Sequence, residues 1–210
     1  MSGGTLSIVV PQGRKCLSAD ALLRLVRSGV ASMPASRLGD TEMSFTDALM
    51  AAFAMFSLTS SSLLAFDKER AAGNVHTIYG IERVPCDTHM RAILDLVSPT
   101  LLRPLFKSVI VQLQRGKALE PMVCFNGCSL LALDGTGYFS STTMHCASCL
   151  HQVHRNGSMT YSPQLLGAAI IHPDVREVMP LMPEAIVKQD GADKNDGERH
   201  AAQRFMAKLR

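Results

Sequence analysis

Ser129-Leu-Leu-Ala-Leu-Asp-Gly-Thr-Gly137 decides how the second half of this 210-residue chain is read. Leu130 to Leu133 form a short continuous apolar run, which reads as a buried strand. Asp134 ends the run and is followed by Gly-Thr-Gly, so a carboxylate stands at a sheet edge with little bulk around it. That setting suits a Mg²⁺ ligand, because Mg²⁺ takes one or two carboxylates and keeps several waters. The competing reading is a plain turn, since Asp-Gly is a common turn pair.

Downstream, Leu165 to Ile171 is a second apolar run and Val175 to Met182 a third. Lys194 to Arg210 closes the chain with Ala201, Ala202, Phe205, Met206 and Leu209 on one helical face. Strand, long insertion, strand, strand, helix is the opening order of an RNase H-like α/β domain, and several other folds share it. A phosphatase of the haloacid-dehalogenase type is excluded: Ala132 stands where its Asp-x-Asp-Gly-Thr motif requires the nucleophilic aspartate.

Upstream of Pro121 the texture is helical. Ser18 is placed to cap a helix carrying Leu22, Leu23, Leu25 and Val26, with Gly29 as its stop. Ser44 and Asp47 have capping-box spacing ahead of an Ala48–Leu58 helix. A short helix ending at Gly80, a break at Pro85, and a helix capped by Asp87 or Thr88 and running to Leu96 give a helix-turn-helix layout. Read so, Thr88, His89 and Arg91 open the helix that meets DNA. An ordinary helical hairpin in an all-α domain is the alternative. Ser98-Pro99 starts a last helix ending at Gly116. The expected organisation is α/β, α+β overall: a helical region over residues 1–118, then a partial catalytic domain over 119–210.

That second region carries an insertion near residues 140–158 rich in cysteine and histidine: His145-Cys146-Ala-Ser-Cys149-Leu-His151-Gln-Val-His154. Cys146, Cys149, His151 and His154 offer thiolate and imidazole donors of the kind that hold tetrahedral zinc. The histidines follow more closely than in a zinc finger, so a fourth ligand from elsewhere, such as Cys124 or Cys128, or a loop without metal, are equally open. The acidic stretch Glu184 to Glu198 reads as a solvated loop and helix start.

Composition bounds the rest. Apolar residues at 47% and charged residues at 19% exclude a disordered chain, and a net charge of +3 tolerates nucleic acid without requiring it. The opening Met-Ser-Gly-Gly-Thr lacks a secretory signal, so a cytoplasmic location is expected, where paired cysteines favour metal over disulfides. The charge-free stretch from Ala48 to Phe66 approaches the length of a membrane span, but Thr59-Ser60-Ser61-Ser62 breaks it. Two buried helices are expected there, and no membrane partner.

In combination, several stretches resemble insertion-sequence DNA transposases of the DDE class. They are Leu63-Leu-Ala-Phe-Asp, Tyr79-Gly-Ile with Val84-Pro-Cys-Asp-Thr, and Leu131-Ala-Leu-Asp134-Gly-Thr. The loop from His145 to Gly157, Leu166-Gly-Ala-Ala-Ile-Ile-His-Pro, and Lys188-Gln-Asp-Gly with Lys194-Asn-Asp join them. The resemblance runs from about Ser44 to the last residue. It implies a helical DNA-binding region and an RNase H-like core whose first catalytic aspartate is Asp134. It also implies Mg²⁺-dependent cleavage at terminal inverted repeats, transfer of the freed 3′-hydroxyl to target DNA, work as a homo-oligomer, and residence at the nucleoid. The family's second aspartate and its glutamate lie beyond the closing helix and have no counterpart up to Arg210, so the chain reads as a truncated, inactive copy. The other expectation is a non-catalytic DNA-binding protein derived from such an enzyme, with zinc as its staple.

Overall fold

The computed structural model describes residues 14–34, 43–70, 74–145, 149–188 and 197–209. They divide between Ala118 and Leu119 into two compact units, one helical and one built on a sheet, so the chain is α+β.

The helical unit opens with α1 (Ala19–Ala31), capped by the Ser18 hydroxyl, which accepts from Ala21 N–H at 3.2 Å. The helix runs through Gly29 instead of stopping there. A Cβ at Gly29 would lie 2.6 Å from Leu105 Cδ1 on α6 (Arg103–Arg115), so the missing side chain lets two helices approach closely. Gly116, the residue after α6, is pressed by Leu17 in the same way: a Cβ would meet Leu17 Cγ at 2.6 Å.

The charge-free stretch forms α2 (Phe45–Ser57) and α3 (Leu63–Arg70), separated by residues 58–62. Among the described residues no helix is long and apolar enough to cross a membrane. α2 buries Ala48 to Ala52, Ala54 and Met55, nearly its whole circumference. Ser44 is its N-cap residue but makes no side-chain cap bond, which corrects the capping-box expectation. Asp47 is committed elsewhere. Its Oδ1 accepts from Arg27 Nη2 at 3.2 Å, and its Oδ2 accepts from the N–H groups of Glu82 and Arg83 at 3.2 and 3.3 Å.

Those two N–H groups belong to the turn between α4 (Asn74–Tyr79) and α5 (Asp87–Leu94). Gly80 starts that turn at φ +65°, a left-handed conformation that side chains resist. One core joins these helices through Val26, Val30, Met50, Phe66, Tyr79 and Met90. Full burial of such side chains contributes about 1.5–3 kcal/mol each.

In the second unit β1 (Leu130–Gly137) pairs antiparallel with β4 (Gln164–His172) along its whole length, from Leu130↔Ile171 to Gly137↔Gln164. The other edge of β4 is shared end to end by β5 (Val175–Pro180) and β6 (Glu184–Ile186). Between β1 and β4, where the sequence predicts an insertion, the chain makes a hairpin: β2 (Leu150–Val153) and β3 (Met159–Ser162). Helix α7 (Glu198–Lys208) lays Ala201 and Phe205 against Leu166, Ala168, Leu131 and Leu133.

Candidate functional site around Asp134

The two-residue period of a strand sends successive side chains to opposite faces. Leu131 and Leu133 face α7, so Asp134 projects from the other face with Leu130, Ala132 and Thr136. The turn reading of Asp134-Gly135 is corrected by the register: Asp134, Gly135, Thr136 and Gly137 continue the strand opposite Gly167, Leu166, Leu165 and Gln164. Asp134 is exposed, and its carboxylate has no hydrogen-bond or ion-pair partner among the described residues.

Glycines keep the surroundings open. The residue directly across from Asp134 is Gly167, where a Cβ would sit 3.5 Å from the Asp134 carbonyl oxygen. On the opposite face, Gly135 leaves room for the Glu198 side chain at the start of α7, whose carboxylate a Cβ would strike. Asp134 and Glu198 therefore flank β1 from opposite sides and do not form a pair.

The cysteine–histidine segment is divided by its own hairpin. His151 lies directly across from Tyr161, and Gln152 across from Thr160. The His154 ring meets Thr160, Nε2 to Oγ1 2.6 Å, so it sits on the face opposite His151. Cys149 is buried at the start of β2, and Cys146 lies outside the described residues. Among the described residues no three of His, Cys, Asp and Glu gather where they could hold a metal ion. His145 instead stacks on Tyr161, centroids 4.1 Å apart and planes 26° from parallel.

In the helical unit, α5 turns Met90 and Ile93 inward, each 1% exposed, and leaves Thr88 and Arg91 outward with His89 half-buried. Neither Asp87 nor Thr88 is the cap. Cys86 precedes the helix without a side-chain cap bond, and Asp87 Oδ1 accepts from Thr88 N–H at 2.8 Å. Arg91 reaches back to Asp87 at 3.9 Å, a loose exposed pair that leaves its guanidinium available to a phosphate. The linking segment from Gly80 to Cys86 is longer than the three or four residues of the compact helix-turn-helix.

Glu184 departs most from its reading as part of a solvated loop. It is 6% exposed on β6, with Lys208 Nζ at 2.6 Å and Arg204 Nε at 3.5 Å from its Oε1. Arg204 also donates to the Ala185 carbonyl at 2.9 Å, so three contacts fasten the end of α7 to β6. The buried positions of β6 are Glu184 and Ile186, and a charged residue at one of them leaves no apolar alternation in the sequence to mark the strand.

No family model, no curated protein and no solved structure matches this chain.

Proposed function

We propose that this chain is part of an insertion-sequence DNA transposase of the DDE class, with Asp134 the first metal-holding carboxylate of an RNase H-like core. The observation that carries the reading is the setting of Asp134: an exposed carboxylate with no partner among the described residues, on a paired strand across from Gly167, with α7 on the opposite face. The element order β1, hairpin insertion, β4, β5, α7 is the order expected of such a core, with the short β6 added.

The residues fit one anchor for Mg²⁺: a single carboxylate with open space on its face, which leaves the ion its waters. When bound there, the ion would polarise a phosphodiester oxygen and lower the pKa of a water. What the chain itself supplies is the fixed position of that carboxylate, held in register by β4, and a surface for DNA. Phosphate contacts from Arg91 and the outward turn of α5 give affinity, not sequence discrimination. Clamping two ions requires carboxylates from separate segments, so Asp134 alone positions one ion without completing strand cleavage.

The test uses the 210-residue chain and duplex DNA taken from the flanks of its gene. Binding should weaken steeply with salt, and Arg91→Ala should lower the slope of log K against log salt by about one. With Fe²⁺ in place of Mg²⁺, ascorbate and peroxide should generate scission of the bound DNA that disappears in Asp134→Ala. Absence of salt-dependent binding overturns the proposal. Binding with Fe²⁺ scission unchanged in Asp134→Ala leaves the non-catalytic DNA-binding reading in its place.

A further inference from the structure

The outward face of the β2–β3 hairpin carries His151 and Val153 on one strand and Met159 and Tyr161 on the other. Leu150, on the alternate face, enters the core under α7, which fixes the hairpin's inner and outer sides. Val153 is 62% exposed, and His145 is exposed where it lies on Tyr161. His151 and Tyr161 are half-buried, so the exposed aromatic ring at this end is that of His145.

Its centre is rigid. Tyr161 is bonded on its second edge to Ser141, N–H to carbonyl in both directions at 2.8 and 3.0 Å. The Ser141 hydroxyl accepts from Thr143 N–H at 3.2 Å and Met144 N–H at 2.8 Å, and this turn returns the chain so that His145 lands on the Tyr161 ring. His145 covers one face of the Tyr161 ring at 4.1 Å, and the exposed His145 ring, backed by Tyr161, is the one left to stack on a further planar group.

The ribbon is continuous with the Asp134 strand. The ladder passes beyond β1 through Tyr138 N–H to the Pro163 carbonyl at 3.2 Å and on to the Ser141–Tyr161 bridge. Tyr138, 64% exposed, falls on the same face as Asp134 and Thr136 by strand period, about 14 Å along from Asp134. The charge along this stretch suits a polyanion. No carboxylate occurs in the sequence between Asp134 and Asp174, and His154 and Arg155 stand exposed at the hairpin turn.

We infer that this face is a stacking platform for unpaired bases of single-stranded DNA, with Tyr161 and His145 as its centre and Tyr138 leading toward Asp134. Stacking on aromatic rings tolerates any base, and a segment without carboxylates sets none of its own negative charge against the phosphates. The inference rests on the reading of Asp134 as a DNA-handling site, and it adds the kind of DNA that site meets.

The chain contains no tryptophan and three tyrosines, so Tyr138 and Tyr161 report directly in its fluorescence beside the buried Tyr79. Titration of the whole chain with a thymidine decanucleotide in EDTA should quench tyrosine emission saturably. A duplex of equal length should compete poorly. His145→Ala and Tyr161→Ala should each bind about ten-fold more weakly, and Tyr161→Phe should bind like the parent. Since His145 is exposed, His145→Ala keeps the test meaningful if Tyr161→Ala disturbs the hairpin. Unaltered binding by His145→Ala, or no quenching in the parent, overturns the platform. So does tighter binding of a uridine decanucleotide, or a DNA-free dimer that His145→Ala dissolves. EDTA keeps the metal site idle, so failure here leaves the Fe²⁺ scission test of Asp134 intact, and failure there leaves this one intact.

Discussion

Asp47 accepts the Arg27 guanidinium at 3.2 Å with one oxygen and the N–H groups of Glu82 and Arg83 with the other. A carboxylate only 3% exposed thus joins α1, α2 and the turn ahead of α5. Removing it strands two backbone donors and a guanidinium whose Nη1 is already buried without a hydrogen-bond partner among the described residues. Asp47→Ala should cost about 3 kcal/mol in urea unfolding followed by circular dichroism, and Asp47→Asn less. The Arg27 side chain is 35% exposed, which keeps the figure below that of a fully buried pair. A change under about 0.5 kcal/mol would show that the turn is held by its apolar contacts alone.

Two glycines of the helical unit should respond differently to the same methyl group. At Gly29 the obstacle is the Leu105 Cδ1 tip, which can rotate away, and alanine gains about 1 kcal/mol of helix propensity over glycine. Gly29→Ala should therefore be close to neutral, and Gly29→Val destabilising by about 2 kcal/mol through overpacking. At Gly116 the Leu17 head meets the new carbon with Cδ1, Cγ and Cδ2 at 2.5, 2.6 and 2.7 Å, so rotation gives no escape. Gly116→Ala should lower the thermal midpoint, whereas Gly29→Ala should hardly move it. The reverse order would mean that the α1–α6 approach is the tighter one.

Glu184 anchors the far end of α7 through Lys208 and Arg204. Both cations are more than a third exposed, so the ion pairs are partly screened and water can take over the cations once the carboxylate is gone. Glu184→Ala should destabilise the sheet unit by about 1 kcal/mol. Amide exchange should rise first over residues 204–208. Uniform exchange across the unit would instead show α7 and the sheet opening as one cooperative piece.

Zinc in the cysteine–histidine segment cannot engage His151 and His154 together while β2 and β3 keep their register. Metal analysis of the parent, His151→Ala and His154→Ala under reducing conditions checks this. His154→Ala should carry the same zinc as the parent. Loss of zinc in both variants would mean that the hairpin rearranges around the ion.

Local pattern alone determined much of this molecule. The apolar run Leu130–Leu133 is a strand, Leu165–Ile171 lies within its partner, and the stretch broken at Thr59 to Ser62 is two helices. Burial on one element leaves its period in the sequence, so these were legible. The exposed carboxylate of Asp134 was legible too, from the glycines around it. The tertiary structure decided what depends on partners distant in the chain. Gly29 reads as a helix stop, yet Leu105 packs against it inside α1, and Asp47 reads as part of a capping box, yet Arg27 and Glu82 claim its carboxylate. Glu184 looked solvated until α7 covered it, and His154 looked like a neighbour of His151 until the hairpin put them on opposite faces. Sequence spacing measures distance along the backbone, whereas a ligand set, an ion pair or a close approach depends on which faces pairing and packing turn toward one another. That choice is made by contacts dozens of residues apart, where no local period records it.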